Sequence, residues 1–307
     1  MVSEKRVLTL YYHRVAELDD DYNLLAVTPD NFYQQMLFLK KNYPIERFED
    51  NWLENEHDSV VITFDDGYKD NLLNALPILE DLNIPATIFI ATGSIQKKIE
   101  MWWDELEKYL LIGNNFPDSF TLKDDVFGCT WRTSSREYRI NCYQALHYMM
   151  KNCISFVQRE QWFEQLSEWR KETRRVRNDF QLVNEEDCSL LSKSPLITIG
   201  AHTVSHISLG YRDIETQIEE ILDSIRELER LVKKKITVFS YPFGNGTIDF
   251  NENTIDILKG AGIMKSATTD ACLWDCNTNP YRIPRRIVRN WDPFVFESMI
   301  KKYWIDR

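Results

Sequence analysis

The sequence lacks any long apolar run. No stretch of about 18 consecutive apolar residues, the length that a transmembrane helix needs, occurs among its 307 residues. No apolar segment typical of a signal peptide stands near its N-terminus. The sequence therefore predicts a soluble, cytoplasmic protein with no transmembrane segment.

Cysteine, glycine and proline are also scarce. The six cysteines are scattered without the spacing of a disulfide framework, so we expect reduced thiols. There are only ten glycines and ten prolines, and 43% of the residues are hydrophobic and 28% charged. This composition is typical of a globular protein and argues against wholesale disorder.

Positive charge is in deficit. Lysine and arginine number 37 against 48 aspartates and glutamates, which gives a net charge of −11. Because phosphate backbones are bound by basic surfaces, this balance argues against nucleic acid as the main partner. A local basic pocket remains compatible with it.

Short apolar segments of strand character alternate with helical patterns along most of the chain. The strand-like segments are Val7–His13, Val60–Phe64, Pro85–Ala91, Leu196–Gly200, Ile236–Ser240 and Ile263–Thr268. The helical patterns cover Thr28–Leu39, Asp70–Leu82 and Ile214–Lys233. Such alternation predicts a parallel sheet, open or closed into a barrel, with functional residues at the C-terminal strand ends.

One strand-like segment ends in two adjacent carboxylates. Asp65 and Asp66 follow an apolar run and precede Gly67. Two carboxylates at one strand end repel each other unless a positive partner lies nearby, and a metal ion would be such a partner. Taken alone, Asp-Gly is also common in solvated turns.

Two of the five histidines follow another strand-like segment. His202 and His206 are four residues apart, so one helical turn would bring both imidazoles to one face. With one carboxylate they form a ligand set that leaves positions open for water and substrate. We predict that Asp66, His202 and His206 bind one divalent metal ion. Zinc is the expected ion, with Ni²⁺, Co²⁺, Mn²⁺ and Fe²⁺ as alternatives.

The adjacent aspartate favours hydrolysis at such a centre. A bound metal lowers the pKa of its water, and Asp65 is predicted to accept the proton of that water as a general base. A mononuclear iron oxygenase has the same kind of ligand set and stays an alternative class.

A proline-containing loop follows a third strand-like segment. Proline and glycine give Tyr241-Pro242-Phe243-Gly244 a fixed shape, and the Phe243 amide could face a developing oxyanion. We also expect Tyr241 and Pro242 to contribute to substrate binding. Many ordinary turns share this composition, so the loop alone is weak support.

Together these motifs resemble the polysaccharide deacetylase family, carbohydrate esterase family 4, also called NodB-like. The resemblance rests on Thr63–Gly67, His202–His206 and Tyr241–Gly244, and it extends well beyond them. It implies a distorted (β/α) barrel of seven strands in a single catalytic domain over residues 1–307. It also implies that Asp65 is the base, that Asp66 and the two histidines bind the metal, and that the Phe243 amide donates to the oxyanion.

The sequence departs from the family at a usual arginine. That arginine stands two residues before the proline, orients the catalytic aspartate and keeps it ionised, but Ser240 occupies its position here. We expect Arg285 to take this role, or else Arg282. A surface arginine cluster is the alternative for both.

A second departure concerns the general acid. The family's last motif ends in a histidine, but no histidine follows His206. The segment Leu8–His13 resembles that motif in the permuted layout of the poly-N-acetylglucosamine deacetylases. We therefore predict that His13 protonates the leaving amine, with a structural histidine at a strand end as the alternative.

Residues from about 100 to 185 interrupt the alternation and are interpreted as a mainly helical insertion. Helical patterns occur near Arg136–Cys153 and Val157–Arg170. Trp102 and Trp103 either stack on sugar rings or pack in a core. The basic run Arg170–Arg177 either meets a phosphate-bearing substrate or forms a solvated helix face.

The resemblance implies removal of an N-acetyl group from an amino sugar in a glycan or glycan precursor. The expected cytoplasmic location favours a precursor, such as a nucleotide- or lipid-linked sugar. A deformylase, an O-deacetylase and a carbohydrate-binding protein that retains the metal site are the alternatives. The sequence leaves the oligomeric state open.

Overall fold

A computed structural model describes residues 5–54, 56–97, 99–125, 128–152 and 155–306. The strands are β1 Val7–Tyr12, β2 Arg14–Val15, β3 Ala26–Val27, β4 Ile45–Glu46, β5 Ser59–Phe64, β6 Ala86–Ile90, β7 Ser119–Lys123, β8 Gly128–Arg132, β9 Ile197–Ala201, β10 Val238–Ser240, β11 Lys265–Ala267 and β12 Arg286–Ile287. The α-helices are α1 Pro29–Asn42, α2 Leu76–Asp81, α3 Gly93–Lys97, α4 Trp102–Leu110, α5 Arg136–Asn152, α6 Phe156–Arg170, α7 Glu185–Leu191, α8 Ile214–Val232, α9 Glu252–Gly260 and α10 Pro293–Ile305. A π-helical turn covers Asn71–Ala75, and short 3-10 helices cover Trp52–Glu54, Asn178–Phe180 and Leu209–Tyr211.

The chain divides into two compact units. One unit is formed by Met1–Lys97 together with Leu182–Arg307, and the other by Lys98–Gln181. The first contains the main sheet. The second contains α4, α5, α6 and the hairpin of β7 and β8.

The main sheet is parallel and curled. Its strands follow the order β11-β10-β9-β6-β5-β1-β12, and the short strand β4 pairs with β5 beside this path. A parallel bridge joins Ala267 of β11 to Ile283, three residues before β12. The segment that leads into β12 therefore contacts both ends of the sheet. The sheet forms a distorted (β/α) barrel with seven strands along its path, which confirms the expected fold class.

Both faces of the sheet are buried, as the continuous apolar strands predict. All six residues of β5 are buried. Ile62 joins the apolar cluster under the helices, and Val61 joins a separate cluster with residues of the other strands, such as Phe89. Because side chains alternate along a strand, Thr63 and Asp65 point to the same side as Val61.

The helical patterns are largely confirmed. Thr28 caps α1 by accepting a hydrogen bond from the Asn31 amide at 3.4 Å. The pattern over Asp70–Leu82 forms a π-helical turn and then α2, rather than one α-helix. Pro77 lies at the start of α2 and has no amide hydrogen, so an α-helical ladder cannot continue through it.

The second unit covers most of the residues interpreted as a mainly helical insertion, and it contains an antiparallel hairpin that was not predicted. The basic run does not form a helix face, because α6 ends at Arg170. Arg174 and Arg177 instead form ion pairs with Glu105 and Glu100, each at 2.7 Å. Their guanidinium groups are engaged by carboxylates within the unit.

The cysteines of the described residues are all free thiols, and Cys153 lies outside the described residues. In the part of the chain that the structure describes, no helix combines the length and apolar character that crossing a bilayer requires.

Candidate active site

Polar residues from distant parts of the sequence meet at one edge of the barrel. Asp65 and Asp66 follow β5, His202 follows β9 and Ser240 ends β10. Because these strands are parallel, their C-terminal ends share one edge, where α/β proteins commonly carry their functional groups.

Asp66, His202 and His206 converge on one point. The Nε2 atoms of His202 and His206 lie 3.5 and 3.3 Å from Asp66 Oδ1. One ligand atom from each of the three buried side chains lies within 4.8 Å of the others. Among the described residues, this is the one group of histidine, cysteine and acidic side chains arranged to hold a metal ion.

The residues present fit a divalent metal. Asp66 is 1% exposed, and neither of its carboxylate oxygens accepts a hydrogen bond from the described residues. A buried carboxylate that accepts no hydrogen bond is unfavourable, and a cation at the convergence point would satisfy it. Two imidazole nitrogens and one carboxylate suit zinc and other first-row divalent ions.

The hydrogen bond of His202 and the pKa shifts of Asp66 and His206 favour the forms of these side chains that bind a metal. The Nδ1 atom of His202 lies 2.6 Å from the Ser240 carbonyl, so Nδ1 donates to that oxygen and Nε2 is the nitrogen left to bind a metal. Burial raises the pKa of Asp66, but the His202 and His206 imidazoles outweigh it and hold that pKa well below its usual range. Burial lowers the pKa of His206, which Asp66 offsets only in part. An ionised carboxylate and neutral imidazoles are the forms that bind metals.

The loop that carries both histidines is not a helical turn, and that expectation is wrong. Thr203 and His206 adopt left-handed backbone conformations, with φ of 63° and 50°. The loop amides bond side chains instead of helical carbonyls. Glu220 of α8 accepts hydrogen bonds from the amides of Val204 and Ser205 at 3.0 and 2.8 Å.

Arg285 binds Asp65 through two charge-assisted hydrogen bonds inside the barrel. Nη1 donates to Oδ1 at 2.8 Å and Nη2 to Oδ2 at 2.7 Å, and both side chains are buried. The other guanidinium hydrogens are donated to Thr63 Oγ1, Ser240 Oγ and the Thr268 carbonyl at 3.1, 2.9 and 2.9 Å. All five guanidinium donors therefore have an acceptor.

The arginine reaches the aspartate from the segment that closes the barrel. Arg285 directly precedes β12, whereas Ser240, where the resemblance implies an arginine, accepts one of its hydrogen bonds. Burial raises the pKa of Asp65, but attraction to Arg285 outweighs this and lowers the net pKa. The structure thus places Arg285, the first of the two candidates, against the predicted base.

The two neighbouring carboxylates separate because the backbone turns sharply at Asp66. Its φ is 75°, and that of Gly67 is 81°. A Cβ atom at Gly67 would lie 3.0 Å from the Ile90 side chain and would need the same left-handed backbone, so glycine suits this position. Asp65 therefore meets Arg285 while Asp66 meets the histidines.

His13 lies directly after β1, the neighbour of β5 in the sheet. Its ring contacts Tyr11 edge-to-face, with centroids 5.6 Å apart. Burial lowers the pKa of His13, and the charges of Asp66 and Asp65 partly oppose that shift. The imidazole is therefore within electrostatic reach of both carboxylates, and its role as an acid stays a prediction.

Phe243 lies beside a metal-ligand candidate. Its ring packs against His206 with centroids 4.9 Å apart, and its φ is 62°. The Phe243 carbonyl accepts a hydrogen bond from Thr269 Oγ1 at 2.6 Å, and the Pro242 carbonyl accepts one from the Gly244 amide at 2.7 Å. These two hydrogen bonds define the backbone of the loop, and oxyanion binding by the Phe243 amide stays a prediction.

The expected substrate contact of the Tyr241 side chain is corrected. Tyr241 is 0% exposed, its ring stacks on Phe250 at 3.7 Å, and its hydroxyl donates to the Tyr281 carbonyl at 3.0 Å. Ser240 points towards Arg285, so alternation turns the next side chain into the core. Pro242 is also buried.

Arg282 does not bind Asp65, which corrects its candidate role. Its Nη1 donates to the Gly246 carbonyl at 3.1 Å, and its Nη2 donates to Glu252 at 3.0 Å. Its guanidinium also lies over the Phe250 ring. These contacts tie the Arg282 side chain to the loop before α9 and to the first residue of α9.

Trp102 and Trp103 pack inside the second unit. They are 4% and 5% exposed, and their rings contact each other with centroids 5.2 Å apart. Trp102 also contacts His147 and the guanidinium of Arg159. Buried rings offer no face to a sugar, so the packing alternative is confirmed and the stacking role is corrected.

Two residues near the site were missed in the sequence. Tyr11 lies under Arg285, with the guanidinium carbon 4.6 Å from the ring centroid. Alternation along β1 could have found it, since Tyr11 and His13 are two residues apart. Glu220 lies within α8 and has no local signal, because its function depends on a loop that another strand presents.

A known family model matches two segments of the chain. The family is described as polysaccharide deacetylase, and the matched residues are 53–116 and 159–265, more than half of the chain. The chain belongs to the polysaccharide deacetylase family. This membership places the protein among hydrolases that deacetylate carbohydrates.

Several solved structures share the fold of this family member. BC0361, a polysaccharide deacetylase from Bacillus cereus, has a TM-score of 0.61 and 18% identity over 97% of this chain and 69% of its own. The deacetylase PplD of Streptococcus pyogenes has a TM-score of 0.58 and 16% identity over 98% of this chain and 99% of its own. IcaB from Ammonifex degensii has a TM-score of 0.59 and 17% identity over 97% of this chain and 96% of its own. No curated protein matches the chain.

Proposed function

We propose that the protein is a metal-dependent deacetylase that hydrolyses the N-acetyl group of an amino sugar in a glycan or glycan precursor. One observation carries this proposal. The buried set of Asp66, His202 and His206 lies beside Asp65, a second carboxylate that Arg285 holds ionised.

Asp66, His202 and His206 would hold the metal, and zinc is our first choice for this donor set. A divalent metal bound there supplies a water of lowered pKa and polarises the acyl carbonyl. The two histidines and one aspartate leave coordination positions open for water and for the acyl oxygen.

Proton transfers are assigned to two residues. Asp65 accepts a proton from the attacking water, and its lowered pKa keeps it ionised and ready to do so. His13 donates a proton to the amine nitrogen as the carbon–nitrogen bond breaks. The products are acetate and a free amine. We assign to the Phe243 amide the hydrogen bond to the acyl oxygen as that oxygen gains charge.

Mass spectrometry of acylated sugars tests the proposal. The zinc-loaded protein is incubated with N-acetylglucosamine oligomers and with nucleotide-linked and lipid-linked N-acetyl sugars. We expect a mass decrease of C2H2O for each acetyl group removed. The isosteric Asp65→Asn variant should bind zinc equally and lose about 10²- to 10⁴-fold in rate, as expected without a general base.

The same experiment separates the alternatives. Loss of CO from N-formyl sugars would indicate a deformylase, and hydrolysis confined to sugar acetate esters would indicate an O-deacetylase. Zinc binding without hydrolysis of any acyl sugar would overturn the proposal in favour of a carbohydrate-binding protein. Hydrolysis that Asp65→Asn leaves unchanged would overturn the assigned base.

A further inference from the structure

Three side chains that follow the aspartate pair bind the backbone around His13. Asn71 Nδ2 donates to the His13 carbonyl at 2.9 Å, and Asn74 Nδ2 donates to the Val15 carbonyl at 2.7 Å. Asp70 Oδ1 accepts a hydrogen bond from the Val15 amide at 2.9 Å. We call Asp70, Asn71 and Asn74 the polar clamp.

A buried ion pair strengthens the polar clamp. Arg14 Nε donates to Asp70 Oδ2 at 3.0 Å, and the two side chains are 2% and 10% exposed. Asn71 is 0% exposed, and its Nδ2 atom also lies 3.3 Å from Asp70 Oδ1. The Arg14 guanidinium lies 4.4 Å from the centre of the Tyr68 ring. Such buried, charge-assisted hydrogen bonds hold their partners firmly.

The clamp acts where the sheet no longer holds the chain. β1 ends at Tyr12, and its pairing with β5 ends there too. The next residues, β2, pair with β3 in a separate two-stranded sheet. His13 therefore stands between two ladders of hydrogen bonds, and its carbonyl depends on Asn71.

The clamp links the predicted acid to the predicted base and metal ligand. Asp70 is four residues after Asp66 in the sequence. Asn71 begins the π-helical turn, a rare conformation that is frequent at functional sites. A fixed connection between His13 and this segment would set the distance from the imidazole to Asp65 and Asp66.

We propose that the polar clamp is a positioning device that holds His13 where it can protonate the leaving amine. This inference rests on the proposed function. Asp70, Asn71 and Asn74 are positioning residues, because they bind the backbone at His13 and not the reacting atoms. A displacement of about 1 Å in a catalytic group can cost about 10²-fold in rate.

Two substrates with different leaving groups can show whether the polar clamp positions the acid or only supports the fold. An amine must be protonated as it leaves an amide, whereas 4-nitrophenolate leaves an aryl acetate without an acid. Loss of acid positioning therefore slows amide hydrolysis alone. A general structural defect would slow hydrolysis of both substrates.

The experiment measures kcat of zinc-loaded Asn71→Ala on N-acetylglucosamine oligomers and on 4-nitrophenyl acetate. We expect about a 10²-fold loss on the amide and an unchanged kcat on the ester. Asn74→Ala, which removes the half-buried bond to Val15, should show the same preference more weakly. Asn74→Ala also replaces Asn71→Ala as the test variant if Asn71→Ala does not fold. The control is Asn251→Ala, which removes the N-cap of α9 and should leave the amide-to-ester ratio unchanged.

A parallel fall of both activities in Asn71→Ala and Asn74→Ala would overturn the inference. Imidazole NMR gives a test that does not need turnover, because the chain has only five histidines. The His13 resonances, assigned with His13→Gln, should shift in Asn71→Ala and not in Asn251→Ala. Unmoved His13 resonances would also overturn it. A wild type that hydrolyses neither substrate would contradict the proposed function, and the NMR shifts would still decide the clamp.

Discussion

Arg285 donates all five of its guanidinium hydrogens inside the barrel, and two of them bind Asp65. A planar fork of donors matches a carboxylate in a way that a lysine ammonium cannot. The geometry therefore explains how a buried aspartate stays ionised beside a second carboxylate.

Replacing Arg285 should destabilise the protein and shift its pH dependence. Arg285→Met leaves Asp65 buried without its partner, so we expect a loss of about 3–5 kcal/mol in the free energy of unfolding at neutral pH. Folding lowers the pKa of Asp65 in the wild type. The pair therefore contributes stability above the unfolded pKa of about 3.9, which is lost as pH falls through the folded pKa.

Urea denaturation of the wild type and Arg285→Met at neutral pH and near pH 3 measures this difference. The gap between the two proteins should narrow at the acidic pH. Arg282→Met, on an arginine engaged by Glu252, is the matched control and should cost much less. An equal cost at both positions would contradict the special role of Arg285.

At the scale of elements, the same aspartate could be reached from either of two segments. Ser240 ends β10, Arg285 precedes β12, and their side chains touch at 2.9 Å. An arginine side chain starting at residue 240 would therefore begin close to the place that the guanidinium now fills.

An exchange of the two side chains tests this equivalence. We expect Arg285→Ser to lose about 10²-fold or more in kcat/KM, because general-base catalysis by Asp65 is lost. The double variant Ser240→Arg/Arg285→Ser should recover part of that loss. Ser240→Arg alone should lower the melting temperature, because two guanidinium groups cannot share one buried space. No recovery in the double variant would show that the approach from the closing segment is itself required.

The histidine loop depends on one residue of α8. Glu220 Oε2 accepts hydrogen bonds from two consecutive loop amides, so Glu220→Ala removes the acceptor that both amides share. Residues that hold metal ligands in place typically affect the affinity for the metal, so we expect zinc binding to weaken about 10- to 100-fold. Calorimetric titration measures the affinity. Glu219→Ala, at the exposed neighbouring position on the same helix, should bind zinc like the wild type.

At the scale of the whole molecule, the ligand set joins segments that follow β5 and β9. A metal that binds only the folded state stabilises it, by about 2.7 kcal/mol at a hundredfold excess over Kd. We therefore expect zinc to raise the melting temperature and a chelator to reverse the rise. Asp66→Asn should abolish the zinc-dependent rise.

The zinc-dependent rise should also depend on pH. Protons compete with metal for imidazole and carboxylate ligands, so the rise should shrink as pH falls. The lowered pKa values of Asp66 and His206 keep these ligands unprotonated to lower pH than free side chains. Calorimetric scans from neutral to acidic pH measure the effect. A rise that stays constant while the ligands become protonated would indicate zinc binding elsewhere.

Much of the fold could be predicted because its signals are local. Apolar runs predicted β1, β5, β6 and β9 to within one or two residues, and the 3.6-residue periodicity predicted α8. The hairpin of β7 and β8 was missed because its strands are short and partly exposed. The histidine loop was predicted as a helical turn because spacing alone cannot reveal bonds to Glu220.

The sequence by itself determined which chemistry is available: two carboxylates after one strand, two histidines after another, and an alternation of strands and helices that requires a parallel sheet. These features lie in short windows, where residue type and periodicity act directly. Only the tertiary structure decided between Arg285 and Arg282, since the chosen arginine is 220 residues from Asp65 and reaches it because the barrel closes. It also decided that Trp102 and Trp103 are buried. Such choices depend on which distant surfaces meet, and no local pattern encodes that.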